Sequence, residues 1–225
     1  MGSGIEDAAR RARYQVLSES AADWMLLAHH GNDQAETVLH NLLRGTGVRG
    51  AAAMPAERGK FLRPLLELSR EALHDYACHF DLGWVEDESN QDSDYTRNYL
   101  RHQVMPIIQS RFPQAVMQLV GAARRFREAQ CLLDELALVD IEGHVPAFPL
   151  PISLFVRLST PRAKNLLRAL LTWQDLQAPD ERRLNEFVRQ LKTAGADRHP
   201  RADFQSFCLF CGKGRIYLEP RGLQK

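Results

Sequence analysis

The stretch LLAHHGNDQAETVLHNLLRG, residues 26–45, runs from an apolar segment through two histidines into a helical pattern. Its beginning belongs to WMLLA, residues 24–28, which predicts a short buried strand of a parallel sheet. A helix is expected from about Asn32 to Arg44, ended by Gly45. In open α/β sheets, ligands collect beyond the carboxyl ends of strands, so this junction is a candidate site. The buried stripe expected on the helix is Ala35, Val38, Leu39, Leu42 and Leu43.

The remainder of the chain divides into two parts of different character. Strand and helix patterns alternate through residues 1–112, which indicates an α/β domain with a parallel sheet. Within it, KFLRPLL (60–66) predicts another strand, Ser69 predicts the cap of the next helix, and Gly83 predicts its end. Residues 113–225 predict a mainly helical domain with a C-terminal β-hairpin. Its helices are expected at about 114–140, 161–174 and 180–194, and its hairpin within 204–219.

The composition of the 225 residues is that of an ordinary globular protein, with 44% hydrophobic and 25% charged residues. The formal net charge of +1 gives no global basic field for nucleic acid, although arginines cluster locally. No apolar run approaches the ~20 residues that a membrane-spanning helix needs, and no signal peptide is recognisable. Four cysteines indicate a reducing compartment rather than a disulfide framework. We therefore expect a cytoplasmic protein.

Asp33 and Glu36 stand in the first turn of the predicted helix and allow three interpretations. Carboxylates there stabilise the helix by about 0.3–1 kcal/mol through its macrodipole, and the Asp-x-x-Glu spacing is similar to a capping box. Their oxygens are also suited to Mg²⁺. The third interpretation is a catalytic role, which the preceding His29 and His30 favour because capping does not explain them. The signature of helical zinc proteases is absent.

A polar loop, residues 84–98, precedes a second group of candidate residues. Its carboxylates are followed by Arg97, Asn98 and Arg101, and the two arginines are four residues apart on one helical face. Arginine binds two phosphate oxygens at once, so this pair predicts a phosphate contact; a solvated loop is the simpler alternative. The acidic residues of the loop are Glu86, Asp87, Glu88, Asp92 and Asp94.

Two further motifs carry little functional weight. RGTGVRG (44–50) follows a helix and lacks the Lys-Ser/Thr ending of a phosphate-binding loop, so we interpret it as a helix cap and turn. CLFC (208–211) is a lone Cys-x-x-Cys on a predicted strand, where a spacing of three points the thiols to opposite faces. Zinc or redox use is therefore a minor alternative for this pair.

Four stretches occur in a characteristic order: IEDAARRARY (5–14), LLAHHGNDQAETVL with LLRGTG (26–47), LRPLLELSR (62–70) and WVEDESNQDSDYTRNYLRHQVMP (84–106). Together they resemble the tRNA(Ile)-lysidine synthetase family, a bacterial branch of the PP-loop ATP pyrophosphatases. The resemblance is close over residues 4–113. The following helical segment and FQSFCLFCGKGRIYLE (204–219) look like the family's first C-terminal domain, less distinctively.

The resemblance implies a reaction and its participants. The family uses ATP to adenylate the C2 oxygen of the wobble cytidine in a tRNA(Ile) with a CAU anticodon, and free L-lysine then displaces AMP to form lysidine. It also implies Mg²⁺. Matched position by position, His30, Asp33 and Glu36 fall where the family's His, Asp and Glu face the reacting nucleotide, and Asp33 and Glu36 are the candidate metal ligands. Arg10, Arg63, Arg97, Asn98 and Arg101 match positions that we assign to substrate, phosphate or tRNA contacts.

The chain departs from the family pattern in two places. Many members have two aspartates where this chain has Asn32 and Asp33, so only Asp33 can carry that role. The Ser-Gly-Gly-x-Asp-Ser nucleotide loop of the superfamily does not occur in the 225 residues. We therefore expect an internal fragment of the enzyme, with the loop upstream of residue 4 and a terminal domain beyond Lys225. Such a fragment is expected to be inactive and to bind ATP poorly, because the phosphate cradle is missing.

Three functions remain open at this point: part of a lysidine-forming ligase, a non-catalytic tRNA-binding module, and a sulfur-transferring PP-loop enzyme that would use CLFC. An exposed strand edge could also pair with a second copy, so a homodimer is a further possibility.

Overall fold

The computed structural model describes residues 3–85, 96–193, 200–204 and 206–221; in the first helix it describes the side chains of residues 8, 9 and 12 onwards. The chain forms two compact units, Met1–Gln130 and Cys131–Lys225. The first unit contains α1 (Ser3–Glu19), β1 (Met25–Leu26), α2 (Gly31–Leu43), α3 (Val48–Ala51), β2 (Glu57–Arg58), β3 (Phe61–Leu62), α4 (Arg70–His79), α5 (Thr96–Tyr99), a π-helical segment (Leu100–Val104), α6 (Met105–Arg111) and the first turns of α7 (Ala115–Asp140).

The sheet of the first unit has the order β1-β3-β2. β1 runs parallel to β3, with Met25 opposite Phe61 and Leu26 opposite Leu62, as the two apolar runs predict. β2 pairs with β3 in the antiparallel direction. The expectation that β1 is buried was wrong, since Leu26 is 68% exposed. Among the described residues β1 pairs with β3 alone, so an apolar sequence by itself did not ensure its burial.

The core of this unit forms between α2, α6 and the start of α7. Ala35 of α2 packs with Met105 and Val116. The predicted stripe was wrong at its end, because Leu43 is 70% exposed and Leu42 is also exposed. Since the start of α7 packs in this core, the first compact unit continues past residue 112, where the composition changes; the division into domains at 112/113 stays a prediction.

The ends of the helices follow local rules in two cases out of three. Gly45 follows α2 with φ +73°, as expected of a glycine at a helix end. The hydroxyl of Ser69 accepts a hydrogen bond from Ala72 N–H at 3.1 Å, which confirms the predicted cap of α4. Gly83 does not end that helix: α4 stops at His79, and Asp81 adopts the left-handed conformation with φ 51°.

The second unit comprises the rest of α7 and the following elements: β4 (Leu150–Pro151), α8 (Ile152–Arg157), α9 (Thr160–Trp173), α10 (Glu181–Thr193), β5 (Arg201–Asp203), β6 (Phe207–Gly212) and β7 (Arg215–Pro220). The predicted hairpin is β6–β7, but it belongs to a four-stranded sheet with the order β4-β7-β6-β5. The sequence analysis missed β4 and β5, which have two and three residues. The sheet and helices enclose a core that includes Phe155, Leu166, Leu170, Phe187, Phe207 and Ile216. None of the helices that the structure describes is long and apolar enough to cross a membrane.

Candidate active site

The loop between β1 and α2 is tied closely to its surroundings. His30 adopts an extended conformation at the N-cap position of α2, and its backbone N–H donates to Oδ2 of Asp33 at 3.0 Å. This is the carboxylate half of a capping box, but not the one that the Asp33–Glu36 spacing predicts. The helix begins earlier, so His30 is the cap and Asp33 stands at the third helical position, whereas Glu36 binds arginine. The N–H of Gly31 donates to the carbonyl of Leu68 at 2.7 Å. A Cβ atom at Gly31 would lie 2.9 Å from that oxygen, so the close approach requires glycine.

Asp33 and Glu36 form an ion-pair cluster with Arg97 and Arg101, which come from α5 and the π-helical segment. Arg97 donates from Nε to Glu36 at 3.0 Å and from Nη2 to Asp33 at 3.1 Å. Arg101 donates from Nε to Glu36 at 2.7 Å and from Nη2 to Asp33 at 2.9 Å. The Glu36 side chain is only 3% exposed. Arg97 and Arg101 therefore lie on one helical face, as their spacing predicts, but their guanidinium groups contact carboxylates rather than phosphate.

The cluster is electrically balanced, with two carboxylates and two guanidinium groups. Burial alone would lower the pKa of Arg101, but its hydrogen bonds and charge interactions with Glu36 and Asp33 outweigh burial and raise the pKa above its ordinary value. Arg101 therefore stays charged at any pH at which the fold is stable.

The same contacts bear on the Mg²⁺ that the resemblance implies. Oδ1 of Asp33 and both oxygens of Glu36 accept hydrogen bonds from arginine, and Oδ2 of Asp33 accepts one from His30. In the part of the chain that the structure describes, no group of three or more His, Cys, Asp or Glu side chains is arranged to hold a metal ion. The donor set of Asp33 and Glu36, as arranged here, does not fit Mg²⁺, because arginine occupies the positions that a cation needs.

His30 lies against the cluster. Its Nε2 is 3.5 Å from Oδ2 of Asp33, a distance at which a protonated imidazole and the carboxylate form an ion pair. Its Nδ1 is buried and has no hydrogen-bond partner among the described residues. The imidazole thus lies beside a carboxylate, a setting in which a histidine can take part in proton transfer.

The other predicted site residues lie elsewhere or cannot be placed. Arg63 is not in the cluster: it donates to the carbonyl of Pro55 at 2.9 Å and to the Tyr14 hydroxyl at 3.2 Å. Asn98 lies on α5 beside Arg97. Arg10 is on α1, and its side chain is outside the described part of the structure. The loop carboxylates Glu86, Asp87, Glu88, Asp92 and Asp94 also lie outside the described residues.

Comparison with known proteins follows the two parts of the chain. A family model described as PP-loop domain matches residues 1–108, and one described as TilS substrate binding domain matches residues 150–217. A tRNA(Ile)-lysidine synthase of Alkalilimnicola ehrlichii is 42% identical over 227 residues, 98% of this chain and 51% of the relative. The chain belongs to the tRNA(Ile)-lysidine synthase family.

Other lysidine synthases match over the same extent. That of Nitrosomonas europaea is 40% identical over 223 residues, and that of Coxiella burnetii is 36% identical over 223 residues. Each of these alignments covers 96% of this chain, against 49% and 50% of the relative. The chain thus spans about half the length of the curated relatives it matches. The PP-loop match confirms the α/β class of the first part, and the resemblance itself is confirmed.

The structure adds residues near the lysidine synthase motifs that the sequence analysis did not single out. Gln34, the residue after Asp33, is buried. Its side-chain amide donates to the carbonyl of Met54 at 2.9 Å and accepts from the N–H of Met54 at 3.0 Å. Arg127 of α7 donates to the carbonyls of Ala52 and Met54. A signal for Arg127 existed in the sequence: it continues the apolar stripe of α7 at helical spacing, and a charge on such a stripe indicates a specific partner.

The Cys-x-x-Cys of the second unit is buried. Cys208 and Cys211 both lie in β6 as free thiols. Burial raises the pKa of Cys211 to about 11, and burial together with Asp203 raises the pKa of Cys208. Thiols of this kind are poor nucleophiles, because the thiolate is the reactive form. These observations argue against a sulfur-transferring role for the pair.

Proposed function

We propose that this chain forms part of an enzyme that joins L-lysine to C2 of the wobble cytidine of tRNA(Ile), with ATP as the energy source. The observation that carries the proposal is the cluster of His30, Asp33 and Glu36 with Arg97 and Arg101, beyond the carboxyl end of a parallel strand. Membership of the lysidine synthase family supports the reaction class. The expected substrates are a tRNA with a CAU anticodon, free lysine and ATP, and the expected location is the cytoplasm.

The reaction has two steps with different needs. In the first, the C2 oxygen of cytidine attacks the α-phosphorus of ATP and pyrophosphate leaves. In the second, the ε-amine of lysine attacks C2 and AMP leaves, so the ammonium group must first give up a proton. The first step needs cationic donors for phosphate charge, and the second needs a base.

We assign the base to His30 and the positioning of the arginines to Asp33 and Glu36. The carboxylate oxygens are engaged by guanidinium groups, whereas Nδ1 of His30 has no recorded partner among the described residues. A guanidinium has five N–H donors, of which the carboxylates take two from Arg97 and three from Arg101. The remaining donors of Arg97 and Arg101 are assigned to a phosphate of ATP or of the tRNA, with Asn98 beside them. No step is assigned to Mg²⁺ at Asp33 and Glu36.

The test uses the complete enzyme and the variant His30→Gln, with His40→Gln on the same helix as the matched control. Incorporation of labelled lysine into a transcript with a CAU anticodon is measured for each variant. We expect His30→Gln to lower turnover by about 10²–10⁴-fold, with His40→Gln unaffected. Unchanged turnover in His30→Gln would return this residue to a capping role.

The tRNA-binding module remains the second candidate and gives a different result in the same assay. Such a module would bind the transcript with unchanged affinity in every variant and would show no lysine incorporation in the complete protein. A homodimer through the edge strand β1 also stays a prediction. Sedimentation of the 225-residue chain over a range of concentrations tests it directly, since a purely monomeric species would contradict it.

A further inference from the structure

A cavity of about 220 Å³ opens in the first unit, on the side of α2 occupied by Gln34. Three arginines, Arg63, Arg124 and Arg127, line it together with one carboxylate, Glu67. The charged groups around it therefore sum to an excess of positive charge. We call this cavity, with its three arginines, the arginine pocket. It is separate from the Asp33–Glu36 cluster, whose residues do not line it.

Arg63 supplies a buried positive charge to the arginine pocket. It is only 5% exposed, and its recorded partners, the Pro55 carbonyl and the Tyr14 hydroxyl, are neutral. Among the described residues, its Nε has no hydrogen-bond partner and no carboxylate lies within ion-pair distance. A buried charge with neutral partners is costly, and a bound anion would offset that cost.

Arg124 and Arg127 extend the positive surface along α7. They are three residues apart and therefore lie on neighbouring positions of one helical face, with buried Val120 a turn before them. Arg127 is fixed by its hydrogen bonds to the carbonyls of Ala52 and Met54. Arg124 is exposed and makes no hydrogen bond or ion pair recorded among the described residues. Arg127 thus forms a fixed part of the lining of the arginine pocket, and Arg124 is the side chain available to a ligand.

We propose that the arginine pocket binds a single phosphate group. The planar donors of arginine suit phosphate oxygens, and the cavity is smaller than the roughly 300–1,000 Å³ of sites that enclose a whole small molecule. Glu67 at the cavity repels anions, which favours a phosphodiester with one charge over a phosphate with two. The group can come from an RNA backbone or from free phosphate; the RNA source rests on the proposed function, and the phosphate chemistry does not.

The test compares three variants of the 225-residue chain: Arg124→Gln, Glu67→Gln and, as control, Arg125→Gln. Arg125 is the next residue on α7, is exposed and does not line the cavity. Two probes are used without ATP or lysine: inorganic phosphate in calorimetric titrations, and a tRNA transcript with a CAU anticodon in filter binding at several salt concentrations. Because no turnover is measured, failure of the proposed reaction does not affect the result.

For an RNA backbone phosphate, we expect Arg124→Gln to weaken transcript binding about tenfold and to reduce the slope of log affinity against log salt by about one. Glu67→Gln should strengthen binding, and Arg125→Gln should behave as the wild type. For free phosphate, the same order of variants should appear in calorimetry alone. The proposal is overturned if Arg124→Gln and Arg125→Gln are equal with both probes. It is also overturned if Glu67→Gln weakens binding, because that result indicates a ligand with a cationic group.

Discussion

Nε of Arg101 donates a hydrogen bond of 2.7 Å to Oε1 of Glu36, across 65 residues of sequence. The contact joins the π-helical segment to α2 and is reinforced by Nη2 of Arg101, which donates to Asp33 and Glu36. Glu36 is almost fully buried, so the carboxylate depends on arginine for its hydrogen bonds. The residues expected to be catalytic are thus also the residues that hold two distant segments together.

This double role can be separated by a double-mutant cycle on Glu36→Gln and Arg101→Gln. Each single change leaves the cluster with one unbalanced charge, since Glu36 would keep only Arg97 and Arg101 would keep only Asp33. We expect each to lower the free energy of unfolding by about 3 kcal/mol. The double variant should lose clearly less than the sum, because Asp33 and Arg97 then remain as a balanced pair. Urea unfolding of all four proteins measures the coupling.

The same cycle in the complete enzyme tests catalysis. If Glu36 and Asp33 serve only the fold, turnover in Glu36→Gln and in Asp33→Asn should fall only as far as the folded fraction falls. We expect turnover to stay nearly abolished in Glu36→Gln and in Asp33→Asn after correction for the folded fraction. Recovery of activity in the double variant would contradict a catalytic contribution of Glu36.

Gly31→Ala tests the packing of the loop that carries His30. The added Cβ would lie 2.9 Å from the backbone oxygen of Leu68, and backbone cannot move aside as a flexible side chain can. We expect the free energy of unfolding to fall by about 2 kcal/mol, as for other overpacked sites. Gly47→Ala is the control, since nothing lies within 4 Å of a Cβ there and the change should stay within about 0.5 kcal/mol. Equal thermal unfolding of the two variants would contradict the close contact.

Gln34→Leu tests the support of the segment that borders the arginine pocket. The substitution removes two hydrogen bonds to the backbone of Met54, one donated and one accepted, in a buried place. We expect a loss of about 2 kcal/mol in urea unfolding, because the Met54 N–H is left unpaired, whereas the Met54 carbonyl keeps its hydrogen bond from Arg127. Gln118→Leu, at an exposed position of α7, should change stability by about 0.5 kcal/mol or less. A loss no larger in Gln34→Leu would show that Met54 finds other partners.

The four cysteines should differ in reactivity. Cys78 and Cys131 are exposed, whereas Cys208 and Cys211 are buried with raised pKa values. We expect iodoacetamide at pH 8 to modify two thiols of the folded chain and four in urea, as counted by mass spectrometry. Rapid modification of Cys208 or Cys211 in the folded chain would reopen the redox interpretation of CLFC.

The pKa of Cys211 also predicts a dependence of stability on alkaline pH. Its folded-state pKa of about 11 lies above the ordinary value of 9.0, so the unfolded chain loses the thiol proton first as pH rises. The stabilising contribution is present below pH 9 and is lost as pH rises through about 11. Between these values, the unfolding free energy should fall less steeply in Cys211→Ala than in the wild type. Cys131→Ala, an exposed thiol, should follow the wild type.

Local rules predicted most of the secondary structure. The helices α2, α4, α7, α9 and α10, the cap at Ser69 and the parallel pairing of β1 with β3 agree with the patterns in the sequence. The errors have a common origin. Burial of Leu26 and Leu43 and the closing role of Gly83 were inferred from residue type, but exposure depends on what packs against an element. The short strands β4 and β5 were missed because so few residues carry no periodic signal.

The sequence by itself determined the family, the order of the helices and the identity of the residues in the candidate site. Helical periodicity and capping depend on neighbours within a few residues, so they can be predicted from the local sequence. Only the tertiary structure decided that Asp33 and Glu36 are paired with Arg97 and Arg101, and that Arg63 stands apart from them beside Arg124 and Arg127. These contacts join side chains about sixty residues apart, and they form because buried charges must find partners in the folded chain rather than along it.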